Sequence, residues 1–235
     1  MPSYELQFAK EGEIKYTSHL DLMRLFRRAF KRAGVDLVYS HGFNPHPRMS
    51  AALPLPLGCT SICEWIDFKT HAEYEPDTIR ERLQAVMPEG IRLITCRKKD
   101  GKKTLASRCR AASYIIAVTL PAGRHLTPED AEAFLARDTI MAERPPRRRR
   151  KKKQKAEAEA IDIRGRIREL TVYQADDKLF LSTTLDAGSQ SNLNPELLLR
   201  AFLSWADLPW ERENVEILRR NIYFAGTSPA PAGVD

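Results

Sequence analysis

Residues 4–34 read YELQFAKEGEIKYTSHLDLMRLFRRAFKRAG, and within them the hydrophobic period changes from two to nearly four. Tyr4, Leu6 and Phe8 alternate with polar residues, the spacing of a strand with one buried face, and Ile14 and Tyr16 resume that alternation after the turn-like KEGE. This predicts a strand, or a hairpin if the second run pairs with the first. Ser18 then stands where an N-cap hydroxyl accepts an amide of the first turn, and Asp21 puts a carboxylate at the positive end of the helix dipole. Leu22, Leu25, Phe26, Ala29 and Ala33 form an apolar stripe, while Arg24, Arg27, Arg28, Lys31 and Arg32 occupy the other side. Gly34 supplies the stop. The segment predicts a strand followed by an amphipathic helix with an unusually basic outer face.

Outward from this pair, VDLVYS at 35–40 predicts a second strand, and CEWIDFKT at 63–70 alternates cleanly as a third. Pro76, the pattern DTIRERLQAVM and Pro88 bound a second helix, and IRLITCR at 91–97 closes the series as a strand. The order β-α-β-β-α-β is that of a ferredoxin-like unit, two helices on one face of an antiparallel sheet, and residues 1–98 fill it. Residues 99–112 are polar and turn-rich and read as a linker. Beyond them SYIIAVTL, a helix capped by Thr127 and Pro128, strands around the turn ADD, a helix opened by Asn194 and Pro195, and VEILRRNIYF repeat the pattern. The expected fold is therefore α+β, two tandem ferredoxin-like units at 1–98 and 113–225, the second carrying a basic insertion at 144–155 in its middle hairpin. Residues 226–235 read as a flexible tail.

The 235 residues carry 38 Lys and Arg against 31 Asp and Glu, a net charge of +7. The charge is local: RPPRRRRKKKQK at 144–155 holds nine basic residues and no acidic one, and without it the count is 29 basic against 31 acidic. Arg147, Arg148, Arg149, Arg150, Lys151, Lys152 and Lys153 thus form a block that repels itself, stays solvated, and either grips phosphate or has no dedicated ligand. No run reaches the roughly 18 apolar residues that span a bilayer, and the start MPSYELQFAK has no signal-peptide pattern, so a cytoplasmic protein without membrane contact is expected. Cys59, Cys63, Cys96 and Cys109 match neither a disulfide framework nor paired metal ligation and read as reduced thiols.

The least ordinary stretch is YSHGFNPHPRMSAALPLPLG at 39–58. Pro45 and Pro47 fix φ and remove two backbone donors, so the stretch belongs on an edge or loop, and Gly42 permits positive φ. A stiff loop would present His41, Phe43, Asn44, His46 and Arg48: arginine for phosphate, phenylalanine for stacking, asparagine and histidine for the edges of a base. The plain alternative is a shaped crossover with Phe43 in the core and His46 capping a carbonyl. His19, in the first helical turn, would join His41 and His46 only if the helix start approached the loop. No i,i+4 or HxH spacing supports a metal site there. His71 and His125 stand alone. Asp162 and Arg164 form either an ordinary ion pair or part of a site between the units.

Taken together, KYTSHLDLMRLFRRAFKRAGV, YSHGFNPHPRMSAALPLPLG and EAIDIRGRI resemble the radical SAM-linked proteins, a bacterial family of unknown function encoded beside, or fused to, a radical S-adenosylmethionine enzyme. In that family a proline usually follows the DxR of the later motif; here Gly165 follows Arg164. The resemblance implies a radical SAM enzyme as partner, with S-adenosylmethionine and the iron–sulfur cluster on that partner. On this chain Cys59 and Cys63 have the first spacing of a CxxxCxxC cluster loop, but Ile66 stands at the third position, and no cofactor is expected.

Two classes of function follow. The first is an accessory module that recognises RNA, tRNA or rRNA rather than DNA, for a partner enzyme in RNA modification; the binding residues would be His19, Arg24, Arg28, His41, Phe43, Asn44, His46, Arg48, Asp162 and Arg164. The second is a metal-independent endoribonuclease resembling the enzymes that process CRISPR transcripts, with His19 or His46 as general base. Against it, the glycine-rich loop those nucleases carry near the C-terminus is missing. A pseudouridine synthase fits less well still, because no catalytic aspartate motif of that type is evident.

Overall fold

A computed structural model describes residues 1–144, 159–209 and 211–226. Among them the chain is mixed α+β, with five helices and mostly antiparallel sheet. It divides into two compact units, one of residues Met1–Ala112 joined by the chain from Leu218 on, the other Ser113–Ile217.

In the first unit β1 (Ser3–Lys10), α1 (His19–Arg32), β2 (Met49–Ala51), β3 (Thr60–Lys69), α2 (Pro76–Gln84) and β4 (Ile91–Lys98) follow in chain order. The strands lie in the order β4-β1-β3-β2, antiparallel at each step. The change of period seen in the sequence works as expected. Tyr4, Leu6 and Phe8 point from β1 into a core shared with Leu22, Phe26 and Phe30 of α1 and Ile79 and Leu83 of α2, so both helices cover one face. Phe26 meets Phe8 edge-on at 4.8 Å between centroids, and Phe30 meets Phe68 at 4.6 Å. Each such buried side chain contributes about 1.5–3 kcal/mol. Ser18 caps α1 by accepting the Asp21 N–H at 3.2 Å, and Gly34, at φ 66°, follows its end.

Three local expectations change. Residues Gly12–Tyr16 form a 3-10 turn rather than a second strand. The Glu11 N–H donates to the Gly90 carbonyl at 2.8 Å, and a Cβ at Gly90 would lie 2.5 Å from the Glu11 oxygen, so the chain is turned against Gly90 instead of running on. The segment 35–40 makes only isolated bridges, Leu37 to Thr70 and Tyr39 to Pro47, and the strand on the β3 edge is Met49–Ala51. The prolines account for this: residues 39–47 leave the edge as a hairpin, because two of them have no N–H to offer a ladder. Residues 99–112 are more than a linker. They contain α3 (Leu105–Arg108) and the start of β5 (Cys109–Thr119), and the Leu105 N–H donates to the Asp67 carboxylate at 3.1 Å.

The second unit holds α4 (Pro128–Leu135), β6 (Met141–Arg144), β7 (Glu159–Asp162), β8 (Ile167–Ala175), β9 (Lys178–Asp186), α5 (Pro195–Trp205) and the start of β10 (Val215–Phe224), beside the larger part of β5. β9 lies between β5 and β8 and pairs antiparallel with β8. Phe134, Phe202 and Trp205 pack α4 on α5, with Phe134 and Phe202 centroids 5.2 Å apart. Two boundaries differ from those expected. The latter part of β10 belongs to the first unit, because Leu218 and Arg219 pair in parallel with Thr60 and Ser61. The strands on either side of residues 145–158, β6 and β7, pair with each other as a two-stranded sheet, while β8 and β9 pair in the larger sheet, so the hairpin at the insertion is not the one expected. Arg147, Arg148, Arg149, Arg150, Lys151, Lys152 and Lys153, and the tail at 227–235, lie outside the described residues. No helix among the described residues is long and apolar enough to cross a membrane.

Candidate nucleic-acid interface

With Phe26, Ala29 and Phe30 committed to the core, the helical period turns Arg24, Arg27, Arg28 and Lys31 outward along α1. They do not simply face bulk water. The chain reverses after Gly34, and residues 34–39 run back beside the helix, leaving a groove of about 820 Å³ lined by those four cations with Val35, Asp36, Leu37 and Tyr39. Asp36 is the one carboxylate in that lining. Arg24 pairs with Asp21 at 2.9 Å, both side chains more than half exposed, so the contact is weak. Asp21 itself is held below the ordinary carboxylate value by the Ser18 hydroxyl first and by Arg24 second. Arg27, Arg28 and Lys31 form no ion pair among the described residues, although the Arg28 charge also helps to lower Asp21. Arg27 instead lies over the Tyr39 ring, 5.9 Å from its centroid, which fixes the base of the next hairpin against the helix.

That hairpin closes through Tyr39 opposite Pro47, with the Ser40 N–H donating to the His46 carbonyl at 2.8 Å and the His46 N–H donating to the Ser40 hydroxyl at 3.0 Å. Gly42 adopts φ 120°, which no other residue type takes readily. Phe43 is fully exposed, and His41, Asn44 and His46 around it are exposed as well. The alternative with Phe43 in the core is therefore not the one realised. Arg48 is tied by its backbone, its N–H to Val38 and its carbonyl to Lys69, and its side chain is exposed. Thus Arg24, Arg28, His41, Phe43, Asn44, His46 and Arg48 fall on the groove or on the hairpin that springs from it. Tyr39 escaped the sequence reading; an aromatic residue next to a Gly/Pro loop was its only signal.

The other expected residues fall elsewhere. His19 is the first residue of α1, partly buried, and among the described residues no three His, Cys, Asp or Glu side chains gather as a metal-binding group. Asp162 accepts the Arg164 and Ile140 N–H groups at 3.0 and 2.9 Å, which in that order hold its carboxyl below the ordinary value. The Arg164 Nε donates to the Leu135 carbonyl at 2.7 Å, at the C-terminal end of α4. Each side chain bonds to backbone groups, Asp162 to the Arg164 amide among them, and no ion pair joins the two side chains, so they shape the turn before β8. Gly165 is not needed there for its freedom: it lies outside the left-handed region, and an added Cβ would meet nothing within 4 Å. All four thiols are buried, and burial pushes Cys63 and Cys96 up to about 12, where thiolate is scarce at neutral pH.

A set of buried charges also escaped the sequence reading. Arg219 and Glu64, with side chains 1% and 4% exposed, pair at 2.8 Å, and the same guanidinium donates to the Leu53 and Pro54 carbonyls. Lys10 is buried near Glu64 and donates to the Lys15 and Thr17 carbonyls; burial lowers its pKa. Glu5 receives Arg97 and Arg108, and Asp67 receives Lys99, Ser50 and the Leu105 amide. Acidic residues flanked by aromatics in CEWIDFKT were the available hint.

A comparison with curated proteins returns no match. Over residues 3–195 the chain matches the family described as an uncharacterized protein conserved in bacteria (DUF2344), a span that includes the groove, the hairpin and the turn at Asp162. The protein belongs to that bacterial family.

Proposed function

We propose that the protein is a non-catalytic binding module that recognises RNA, of tRNA or rRNA type, and presents it to a radical S-adenosylmethionine enzyme that modifies it. The observation that carries the RNA part is the groove along α1. Four cations and one carboxylate line it, and three of the cations form no ion pair among the described residues. Unpaired cations at one wall of an open groove attract a polyanion and release its counterions. The partnership rests on the sequence resemblance. The strand orders β4-β1-β3-β2 and β10-β5-β9-β8, each accompanied by two helices, support reading the units as tandem ferredoxin-like folds.

The test is binding of total tRNA and rRNA as a function of salt. Logarithmic affinity should fall linearly with logarithmic salt, and the Arg27→Gln/Arg28→Gln/Lys31→Gln protein should lose about 2 from the slope, at about 0.7 per phosphate contact on a single strand. Removing Arg147 through Lys153 should weaken binding and flatten the slope further. A slope unchanged in both proteins would sink the electrostatic reading. Recovery from the native host should yield RNA and a radical SAM protein together; RNA without that protein would leave the partnership wrong.

A further inference from the structure

The groove accounts for phosphates, but the exposed hairpin is not built for them. We infer that the hairpin takes an unpaired nucleotide, Phe43 stacking on its base while the α1 groove holds the neighbouring phosphates, so that the ligand is single-stranded or looped RNA rather than duplex. The inference rests on the RNA reading of the groove. Phe43 is exposed on all sides at the tip of a segment stiffened by Pro45 and Pro47, and residues 39–48 contain no carboxylate. The other hairpin aromatic, Tyr39, already carries Arg27 on its ring, which leaves Phe43 as the aromatic face free in that segment.

An aromatic ring can stack only on a base whose face is open. In A-form duplex the faces are sealed by neighbouring pairs, and the major groove is too deep and narrow for side chains to enter. Phe43 therefore has no use on a duplex, whereas splayed bases of loops and single strands are bound by such rings at about 1–3 kcal/mol each. The dimensions agree. From Arg24 to Lys31 the helix rises about 10 Å, room for a short run of phosphates. Phe43 lies four residues from Tyr39 on the groove wall, at most about 14 Å along the chain. A rigid hairpin lowers the entropy lost when the base docks. His41, Asn44 and His46, exposed on the same hairpin, offer donors and acceptors for the base edge.

The experiment compares the full chain binding a short labelled single-stranded RNA and the duplex of the same sequence, by fluorescence anisotropy at fixed salt. Phe43→Ala should weaken the single-strand complex about 5- to 100-fold, leave duplex binding and the salt slope unchanged, and be rescued by Phe43→Trp. The side chain touches no core, so the variant should melt with the parent. The Arg27→Gln/Arg28→Gln/Lys31→Gln protein should lose salt slope on both ligands. Equal affinity for the two RNAs with no effect of Phe43→Ala overturns the inference and leaves the groove reading intact. No binding of either RNA overturns the groove reading itself. Displacement of the RNA by polyglutamate at equal charge concentration, as readily as by unlabelled RNA, would overturn the inference in favour of an acidic protein partner.

Discussion

Arg27, Arg28 and Lys31 on α1 face an open groove and form no ion pair among the described residues, whereas Arg97, Lys99, Arg108 and Arg219 each reach a carboxylate that is almost wholly buried. The residue types are the same and the situations opposite. In the second set the cation is the partner that lets Glu5, Asp67 and Glu64 sit inside the first unit, since an unpaired buried carboxylate would be strongly destabilising. Those arginines and lysines are committed to the fold. Of the α1 cations Arg27 rests on the Tyr39 ring, but neither it nor Arg28 nor Lys31 neutralises a buried carboxylate, so their charge is available to a ligand. Net charge cannot make this distinction, because it counts both sets alike; what separates them is whether a carboxylate lies within reach.

The comparison is tested most severely at Glu64. Glu64→Gln leaves the Arg219 guanidinium buried with its charge uncompensated, and arginine does not escape by losing a proton. The expected loss is about 3–5 kcal/mol, read from the urea midpoint with an unchanged slope. The Glu64→Gln/Arg219→Met protein should lose less than the two single changes added together, because the second removes the charge that the first strands. Additive losses would mean that the pair does not act as a unit.

Asp67→Asn comes next, at about 2–4 kcal/mol. It strands Lys99, 6% exposed, and weakens the contacts to Ser50 and the Leu105 amide that tie residues 99–108 to β3. The cost is smaller than at Glu64 because lysine can shed its proton or extend to water. Early proteolysis within residues 99–104 of the variant, while β1 to β4 stay intact, would show that Asp67 secures that segment. Uniform resistance equal to the parent would show that it does not.

How far the sequence carried the reading follows from the same physics. β1, α1, α2 and β4 are written in local period and caps, and Ser18 caps α1 as its position implied. The exchange of 35–40 for Met49–Ala51 on the β3 edge was not legible, because both segments can pair and the choice lies in where the proline hairpin leaves the sheet. The parallel pairing of Leu218 and Arg219 with Thr60 and Ser61 joins residues far apart in the chain, beyond any local pattern. At the site, the basic face of α1 and the contents of the hairpin could be read directly. The groove could not, since it exists only because residues 34–39 fold back beside the helix. For Asp162 and Arg164 the spacing left an ordinary ion pair and a site residue equally open, because it reveals proximity and not the backbone groups that each side chain bonds.

Ser18→Ala separates the scaffold of α1 from its charge. It removes the hydroxyl that accepts the Asp21 amide and should cost about 1 kcal/mol, while Ser18→Gly should cost roughly a few tenths. Neither should alter the salt slope of RNA binding, because the groove cations are untouched. A changed slope would mean that the cap sets the position of those cations.

The smallest effect on stability is expected where the effect on binding is largest. Arg24 is three and four residues from Arg27 and Arg28, and Lys31 follows each of those by four and three, so the cations crowd one another on a single helix face. Like charges at these spacings destabilise a helix by about 0.2–0.5 kcal/mol per pair. The Arg27→Gln/Arg28→Gln/Lys31→Gln protein loses the Arg27–Tyr39 contact, about 0.5–1 kcal/mol, against this relieved repulsion, so it should stay within about 1 kcal/mol of the parent, with the relief vanishing as salt screens the repulsion. A protein selected for folding alone would not keep such a face. If the triple variant is instead destabilised by well over about 1 kcal/mol, and equally so at every salt concentration, the α1 cations contribute more to the fold than the Arg27–Tyr39 contact, and the contrast with Arg97, Lys99, Arg108 and Arg219 fails.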